Sequence, residues 1–399
     1  MNKALSERIN EYIRQHAANA FNWQTLTDAV NREFKTNLTV AGVRNRGLRY
    51  RVTTQGRRFG ESSESSVKKD ALTQQLVNIL KKRRQLRTIE QIADALDVSP
   101  ARVRQAAKEL KQLGHNVHIA DDAMELSKEI PKGAPLRIDI RRLEGRVIRF
   151  GVTADNHLGS KYERLDVLNA LFDLWKKEGI DTVYQLGNII DGESRVNRYD
   201  LHVHGMEGQA KYLAKQWPKR EGMKTYFLTG DDHEGWYVQR EGIVIGQYLE
   251  DTARKEGRDD LIYLGHMEHD IVFRGEKKDT VLRLIHAGGG SAYATSYSVQ
   301  KIVESYQSGE KPHVLLVGHY HKAEYGYPRE VHVIQGGCTC DQTPFMRKHK
   351  LQAHVGGWTV EMTINREGAI TRFRQEWIPF FDLGYYEQAW KYRGTRLAA

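Results

Sequence analysis

The sequence predicts an α/β sandwich of two mixed sheets flanked by helices, preceded by two small helical modules. Three observations carry this. From about residue 145, short apolar strands alternate with amphipathic helices, the pattern of a layered α/β domain. Asp, Asn and His stand directly after those strands, where such folds build their sites. Before residue 150 the chain is patterned for helices and strongly basic. Residues 1–150 hold 29 Lys+Arg against 17 Asp+Glu, a net +12, while the remainder holds 32 against 34, a net −2.

The 399 residues suit two or three domains. With 40% hydrophobic and 28% charged residues, the composition is that of a soluble globular chain. No run of about 18 apolar residues is present to span a membrane. The start, Met1-Asn2-Lys3-Ala4-Leu5-Ser6, lacks the apolar stretch of a secretory signal. Cys338 and Cys340 are too few for a disulfide framework, and a single spacer is a poor metal-ligand spacing. Both read as reduced cysteines, and a cytoplasmic location is expected.

Residues 1–55 read as a basic helix-turn-helix module. Leu26, Ala29, Val30 and Phe34 recur at helical spacing, and Lys35-Thr36-Asn37-Leu38 breaks the pattern. Thr39 can cap a second helix, with Val40 and Val43 inward and Arg44, Arg46, Arg49 and Arg51 outward. Guanidinium forks on one short helix match phosphates and guanine edges, so Arg44, Arg46 and Arg49 are candidate DNA contacts. The competing reading is a helical hairpin with a solvated basic face. Residues 56–70, with Gly56, Gly60 and four serines, read as a flexible linker.

Residues 71–133 form a second unit. Leu76, Val77 and Leu80 start an amphipathic helix ending in Lys81-Lys82-Arg83-Arg84. Thr88 and Gln91 have capping-box spacing before the apolar face of Ile89, Ile92, Ala93 and Leu96. Ser99 is an N-cap and Pro100 suits the first helical position of a second helix, with Val103, Ala106, Ala107 and Leu110 inward. Residues 117–120 and 124–126 read as a two-stranded wing. The unit resembles the winged-helix family, and its second helix would present Arg102, Arg104, Gln105 and Lys108 to DNA. Winged helices also bind proteins. Two basic units in series favour nucleic acid, because neutralised phosphates release counterions.

Residues 134–399 make the α/β domain. Predicted strands cover 146–153, 181–186, 224–228, 281–285 and 313–317, with a helix over 164–178. Strands at 331–334, 357–364 and 370–374 complete the second sheet. Asp155 and His157 follow the first strand, and Asn188 and Asp191 the second. Asp231, Asp232, His233 and Glu234 follow the third, His286 the fourth, and His319 and His321 the fifth. Five loops delivering carboxylate, imidazole and amide groups beside glycines suit two divalent ions. Any one of these histidines alone would be an unremarkable polar residue; the ordered set is the signal.

This series resembles the calcineurin-like metallophosphoesterase superfamily, over roughly residues 146–380. Its motifs match Asp155-Asn156-His157, Gly187-Asn188-Ile189-Ile190-Asp191, Asp231-Asp232-His233-Glu234, His286 and Gly318-His319-Tyr320-His321. The opening Asp155-Asn156-His157-Leu158-Gly159-Ser160 resembles that of DNA repair nucleases. Asp191-Gly192-Glu193 lacks the Arg usual in protein serine/threonine phosphatases. The resemblance implies that Asp155, His157 and His321 hold one ion, and Asp232, His286 and His319 the other. Position 188 would bridge the two. His233, beside Asp232, would act at the leaving group, as general acid or stabiliser of developing charge. Asp191 would be a ligand or orient its loop; Asp231 ranks with it. Manganese is the first expectation for both ions, with iron, zinc and magnesium as alternatives.

Two positions depart from the family. The bridging position usually holds Asp and here is Asn188; the second-ion amide is usually Asn and here is Asp232. The exchange preserves formal ligand charge, which fits natural compensation. It fits equally an inactivating substitution at position 188. A neutral amide bridges two cations poorly, so partial occupancy or slow turnover is expected.

The function this implies is a metal-dependent DNA nuclease working by in-line displacement with an activated water. A small-molecule phosphodiesterase and a DNA-binding regulator with an impaired catalytic domain are the alternatives. Gly288-Gly289-Gly290-Ser291 lacks the P-loop Lys and does not read as a triphosphate site. Arg195, Arg198, Tyr320 and Lys322 are further candidate substrate contacts, and His202 and His204 read as an exposed polar loop. DNA is the expected partner; the oligomeric state stays open, a homodimer included.

Overall fold

A computed structural model describes residues 3–16, 23–40, 42, 43, 46, 64–82, 87–120, 122–127, 129–140, 147–290, 292 and 294–380. The chain divides into two compact units, residues 1–72 and 73–399. Among the described residues, no helix is long and apolar enough to cross a membrane.

In the first unit, helix α1 (Lys3–His16) packs on α2 (Trp23–Phe34). Ile9, Ile13, Leu26, Val30 and Val43 close its core. Thr39 caps as expected: its Oγ1 accepts the Gly42 N–H at 3.1 Å. Arg46 does not fit the outward reading. Its guanidinium donates to Ser6 Oγ and Asn10 Oδ1, both at 2.9 Å, and is half-buried against α1. Two side-chain acceptors on one helix face compete successfully with solvent for the planar fork. Arg44, Arg49 and Arg51 lie outside the described residues. Helix α3 (Glu64–Lys82) begins inside the segment read as a linker. Residues 64–70 contain no Gly or Pro, so nothing stops the helix from extending backwards from its amphipathic half.

The second unit opens with β1 (Arg87–Thr88), α4 (Ile89–Leu96), α5 (Pro100–Gln112), β2 (Val117–Ala120) and β3 (Ala123–Leu126). Thr88 and Gln91 form the reciprocal capping box, and Ser99 caps α5 with Pro100 in its first turn. β2 and β3 pair antiparallel, with β1 on the far side of β3. Arg102, Arg104 and Lys108 are exposed on α5, and Arg104 pairs with Asp122 at 2.8 Å.

The rest of this unit is built from β4 (Leu136–Asp139), β5 (Val147–Thr153), α6 (Leu165–Lys177), β6 (Thr182–Gln185), α7 (Met206–Gln216), β7 (Lys224–Thr229), α8 (Gly235–Glu241), α9 (Ile245–Lys255), β8 (Leu261–His266), β9 (Glu268–Arg274), β10 (Asp279–His286), α10 (Tyr297–Ser305), β11 (Val314–Gly318), β12 (Ala323–Gly326), β13 (His332–Gly336), α11 (Pro344–His349), β14 (Gly356–Ile364) and β15 (Ile370–Pro379). They form two mixed six-stranded sheets, ordered β15-β14-β5-β6-β7-β8 and β12-β13-β11-β10-β9-β4; only β13 of the three late strands joins the second, because β14 pairs with β5 and carries β15 into the first. β5 to β8 run parallel, as do β10, β11 and β13.

Alternation along the strands sorts side chains between layers. Phe150, Val152, Leu282, Leu284, Val314 and Leu316 pack between the sheets. α6, α7 and α9 cover the outer face of the first sheet. α10 covers the second through Val299 and Val303 on Leu315 and Val317. Gly151 is required here, because a Cβ would lie 2.6 Å from the buried Trp175 indole. This stacking brings the carboxyl ends of β5, β6, β7, β10 and β11 to one edge of the sandwich.

Candidate metal centre

Each strand ends in a tight turn that carries a polar side chain. Asp155, His157, Asn188, His233, His319 and His321 all have φ between 48° and 85°. They are six of the twelve non-glycine residues with positive φ among the described residues. Left-handed backbone costs about 1–3 kcal/mol per residue and persists where the surroundings hold it in place. Its concentration here marks the turns as shaped around a site. The turns also brace one another: Asp155 N–H donates to Gly187 O, His157 N–H to Asn188 O, and His319 N–H to Asp155 Oδ2.

Two groups form. In the first, His157 Nε2 faces His321 Nε2 at 3.1 Å, and His321 Nε2 lies 3.5 Å from Asp155 Oδ1. In the second, Asp232 reaches His286 Nε2 and His319 Nδ1, both at 3.4 Å. Asn188 lies between them, its Nδ2 donating to Asp155 Oδ1 at 3.3 Å. Buried behind these groups, other contacts set the tautomers. His157 Nδ1–H donates to Asp191 Oδ1, His286 Nδ1–H to the Leu186 carbonyl, and His319 Nε2–H to the Gly289 carbonyl. In each case the other ring nitrogen is turned into the site.

The donor set fits cations. Asn188 Oδ1, Asp232 Oδ1, His286 Nε2 and His319 Nδ1 are buried without a hydrogen-bond partner, the last three meeting only through the 3.4 Å ion-pair contacts of Asp232 with the two rings. Buried polar atoms without partners are costly, and four in one cluster are explained by a cation among them. Gly230 keeps the space open: a Cβ there would stand 2.7 Å from His286 Nε2 and 2.9 Å from Asn188 Oδ1. Asp232, His286 and His319 could hold one divalent ion; His157 and His321, with Asp155 beside them, could hold a second.

Without an ion, the charged groups pair with one another. Burial would depress the His286 imidazole, but Asp232, Asp155 and Glu234 outweigh it and raise it to about 9. Burial works against the Asp232 carboxylate too, yet contacts from His286 and His319 hold it well below the usual range. His321 is driven down by burial and by the neighbouring histidines, so it stays neutral. Burial raises the Asp155 carboxyl despite those same histidines.

Asp191 serves as an anchor. Its Oδ1 accepts from His157 Nδ1 at 2.8 Å and lies 3.0 Å from His233 Nδ1, and its backbone carbonyl accepts from His233 as well. These bonds overcome burial and lower its carboxyl. His233 is raised to about 10, Asp191 and Asp232 outweighing burial. Replacing Asp191 by Asn leaves the fold intact and unfixes both rings. A loss of about 10–100-fold in metal affinity is expected, as for other partners of metal-ligating histidines. Metal titration of the purified variant checks it, and unchanged affinity would reduce Asp191 to loop support.

Two more residues contribute: Glu234, named in the sequence only with its loop, and Cys340, read there as an ordinary reduced cysteine. Glu234 Oε1 accepts the backbone N–H of Asn188 at 2.7 Å and of Gly230 at 3.0 Å, tying two of the turns together. Its burial raises the carboxyl to about 8. Cys340 Sγ sits 3.6 Å from His321 Nδ1. Contact with Cys338 and burial push the Cys340 thiol up, so it keeps its proton. The remaining candidates lie outside the two groups. Asp231 is exposed. Lys322 is buried and donates to the Ala292 carbonyl, which removes it from the substrate. Arg195 and Arg198 are exposed, and Arg198 leans toward Glu193. His202, expected in an exposed loop, is half-buried and lies 3.0 Å from Glu163 Oε1; His204 is exposed.

The two groups floor a cleft of about 500 Å³. His233, Tyr320, Gly289 and Gly290 line it, and Val196, Trp236, Phe345 and Leu351 give it apolar walls. None of the described lining residues is Lys or Arg. Trp236 stacks on His233 with ring centroids 4.9 Å apart.

No protein-family model and no curated protein sequence matches the chain. Among solved structures it is similar to an archaeal phosphodiesterase, at 11% identity over 58% of this chain and 100% of that one, TM-score 0.32. It is also similar to a predicted phosphoesterase from Streptococcus pneumoniae, at 12% identity over 58% and 99%, TM-score 0.26. A third likeness is to Vps29 complexed with zinc from Entamoeba histolytica, at 12% identity over 58% and 99%, TM-score 0.28.

Proposed function

We propose that the chain is a metal-dependent phosphodiesterase that hydrolyses DNA. The observation that carries the phosphodiesterase reading is the convergence of four unpartnered buried donor atoms beside the facing His157 and His321 nitrogens. Asp155, His157 and His321 would hold one divalent ion, and Asp232, His286 and His319 the other, with Asn188 between. Bound there, the ions supply charge neutralisation at the phosphate and a water acidified for attack. The chain does the rest. Leu186, Gly289 and Asp191 fix the imidazole tautomers, and the apolar walls limit the water reaching the phosphate. His233, held as an imidazolium by Asp191, gives its proton to the departing oxygen. No Ser or Cys nucleophile is needed.

DNA as substrate is supported by the basic N-terminal 150 residues and the exposed Arg102, Arg104 and Lys108. A second reading, a phosphodiesterase of small molecules, draws support from the cleft, whose described lining has no Lys or Arg for a polyanion. Labelled single-stranded, duplex and nicked DNA, incubated with manganese with and without chelator, separates the two. Chelator-sensitive cleavage of DNA is expected. Turnover of aryl phosphodiesters with all three DNAs left intact would replace the first reading by the second.

A further inference from the structure

Among the described residues, the 73–126 segment meets the α/β body at the turn after α5. α5 ends at Gln112, and the following turn, Gly114-His115-Asn116, lies along residues 241–244. Asn116 N–H donates to the Gly242 carbonyl at 2.6 Å, and Val244 N–H donates to the Gly114 carbonyl at 2.8 Å. His115 and Ile243 face each other as an antiparallel bridge, and His115 Nδ1–H donates to the Glu241 carbonyl at 3.0 Å. Lys81, on α3, pairs with the Glu241 carboxylate. Gly242 has φ 63°, and a Cβ on it would meet Leu126 of β3 at 3.0 Å.

What is clamped is the carboxyl end of α8. Its last carbonyls would otherwise need water or a cap, and here the turn after α5 supplies donors. The opposite end of α8 is the site itself. Gly235 N–H donates to Asp232 O, Trp236 N–H to His233 O, and Trp236 stacks on the His233 ring. Between the two ends, Gln239 donates to the Asp231 carbonyl and Arg240 to the Glu193 carbonyl, holding the turns on either side of His233. At seven residues, α8 is too short to be held by its own hydrogen bonds.

We infer that the turn at 114–116 is a positioning device for His233, with His115 its principal side chain, so that the 73–126 segment is part of the working site and more than a grip on nucleic acid. The helix bearing Arg102, Arg104 and Lys108 leads within two residues into this turn. Whatever presses on that helix is therefore felt at α8. The kinetic part of this inference rests on the phosphodiesterase reading; the structural part stands without it.

The test uses the full chain and two substitutions at position 115. His115→Ala removes the donor to the Glu241 carbonyl. His115→Asn keeps one, because the Asn amide nitrogen falls near the place of Nδ1. Hydrogen–deuterium exchange of amides 232–242 is followed together with cleavage of labelled DNA in manganese, a substrate whose departing alkoxide needs the His233 proton. For His115→Ala, exchange is expected to quicken about tenfold and kcat to fall about tenfold, the size of one net hydrogen bond. KM, metal content and DNA affinity stay as in the parent, and His115→Asn restores both changes. Gly242→Ala, which pushes on Leu126 from the other side, should reproduce the loss. Unchanged exchange overturns the clamp, and faster exchange with unchanged kcat overturns the positioning role. A parent chain inactive on DNA overturns the DNA-hydrolysis reading instead, and the exchange arm then decides the clamp by itself.

Discussion

Asn188→Asp is expected to raise both metal content and hydrolysis by at least tenfold. The lower bound follows from outer partners of metal sites, whose loss alone costs about 10–100-fold in affinity. Asn188 stands between the two groups, with its Oδ1 buried and unpartnered and its Nδ2 on Asp155. A carboxylate there adds a full negative charge where two dications would meet. The same substitution carries a cost without metal. The amide N–H that now donates to Asp155 Oδ1 at 3.3 Å would be replaced by a second buried carboxylate. Metal-free stability is therefore expected to fall by about 1–3 kcal/mol. The variant should melt below the parent in chelator and gain more than the parent on adding manganese. Metal analysis, melting with and without chelator, and initial rates check all three. No gain in metal content or rate would mean that Asp232 already supplies the missing charge.

The reason position 188 could be singled out from sequence is that the site is locally encoded. Asp155, Asn188, Asp232 and His319 each follow a strand by one to three residues. Recognising the strand places the side chain at the carboxyl edge, and the sandwich then brings the edges together. The apolar runs of 147–153 and 314–318 are enough for that. Elements with weaker local signals were passed over. α1 carries Ile9 and Ile13 one turn apart, but charged residues around them obscure the stripe. β8 and β9, separated by Met267 alone, are not among the predicted strands.

What stayed hidden depends on partners distant in the chain. Arg46 looks outward by helical periodicity, and only Ser6 and Asn10, 40 and 36 residues earlier, turn it inward. Asp191 could be a ligand or an anchor until His157 and His233 are seen on the same oxygen. Cys340 meets His321 from a different loop. The junction between His115 and Glu241 spans 126 residues and is made mostly by backbone groups, which no side-chain pattern records.

His233→Ala is expected to separate substrates by their leaving groups. The imidazole lines the cleft, is anchored through Nδ1 to Asp191, and is raised to about 10, so it carries a proton at neutral pH. A DNA strand leaves as an alkoxide and needs that proton; nitrophenolate leaves without one. General acid catalysis contributes about 10²–10⁴-fold, so cleavage of DNA should fall by that range. Hydrolysis of bis(p-nitrophenyl) phosphate should fall less than tenfold. Metal content should not change, because His233 is in neither proposed ligand set and its Nδ1 is taken up by Asp191. Its removal also strips Trp236 of its stacking partner and Asp191 of one of its two rings. An effect through Asp191 on His157 would appear as lost metal, which analysis of the variant would reveal. Equal losses on both substrates with full metal content would show His233 stabilising charge at the phosphate in place of protonating the oxygen that leaves.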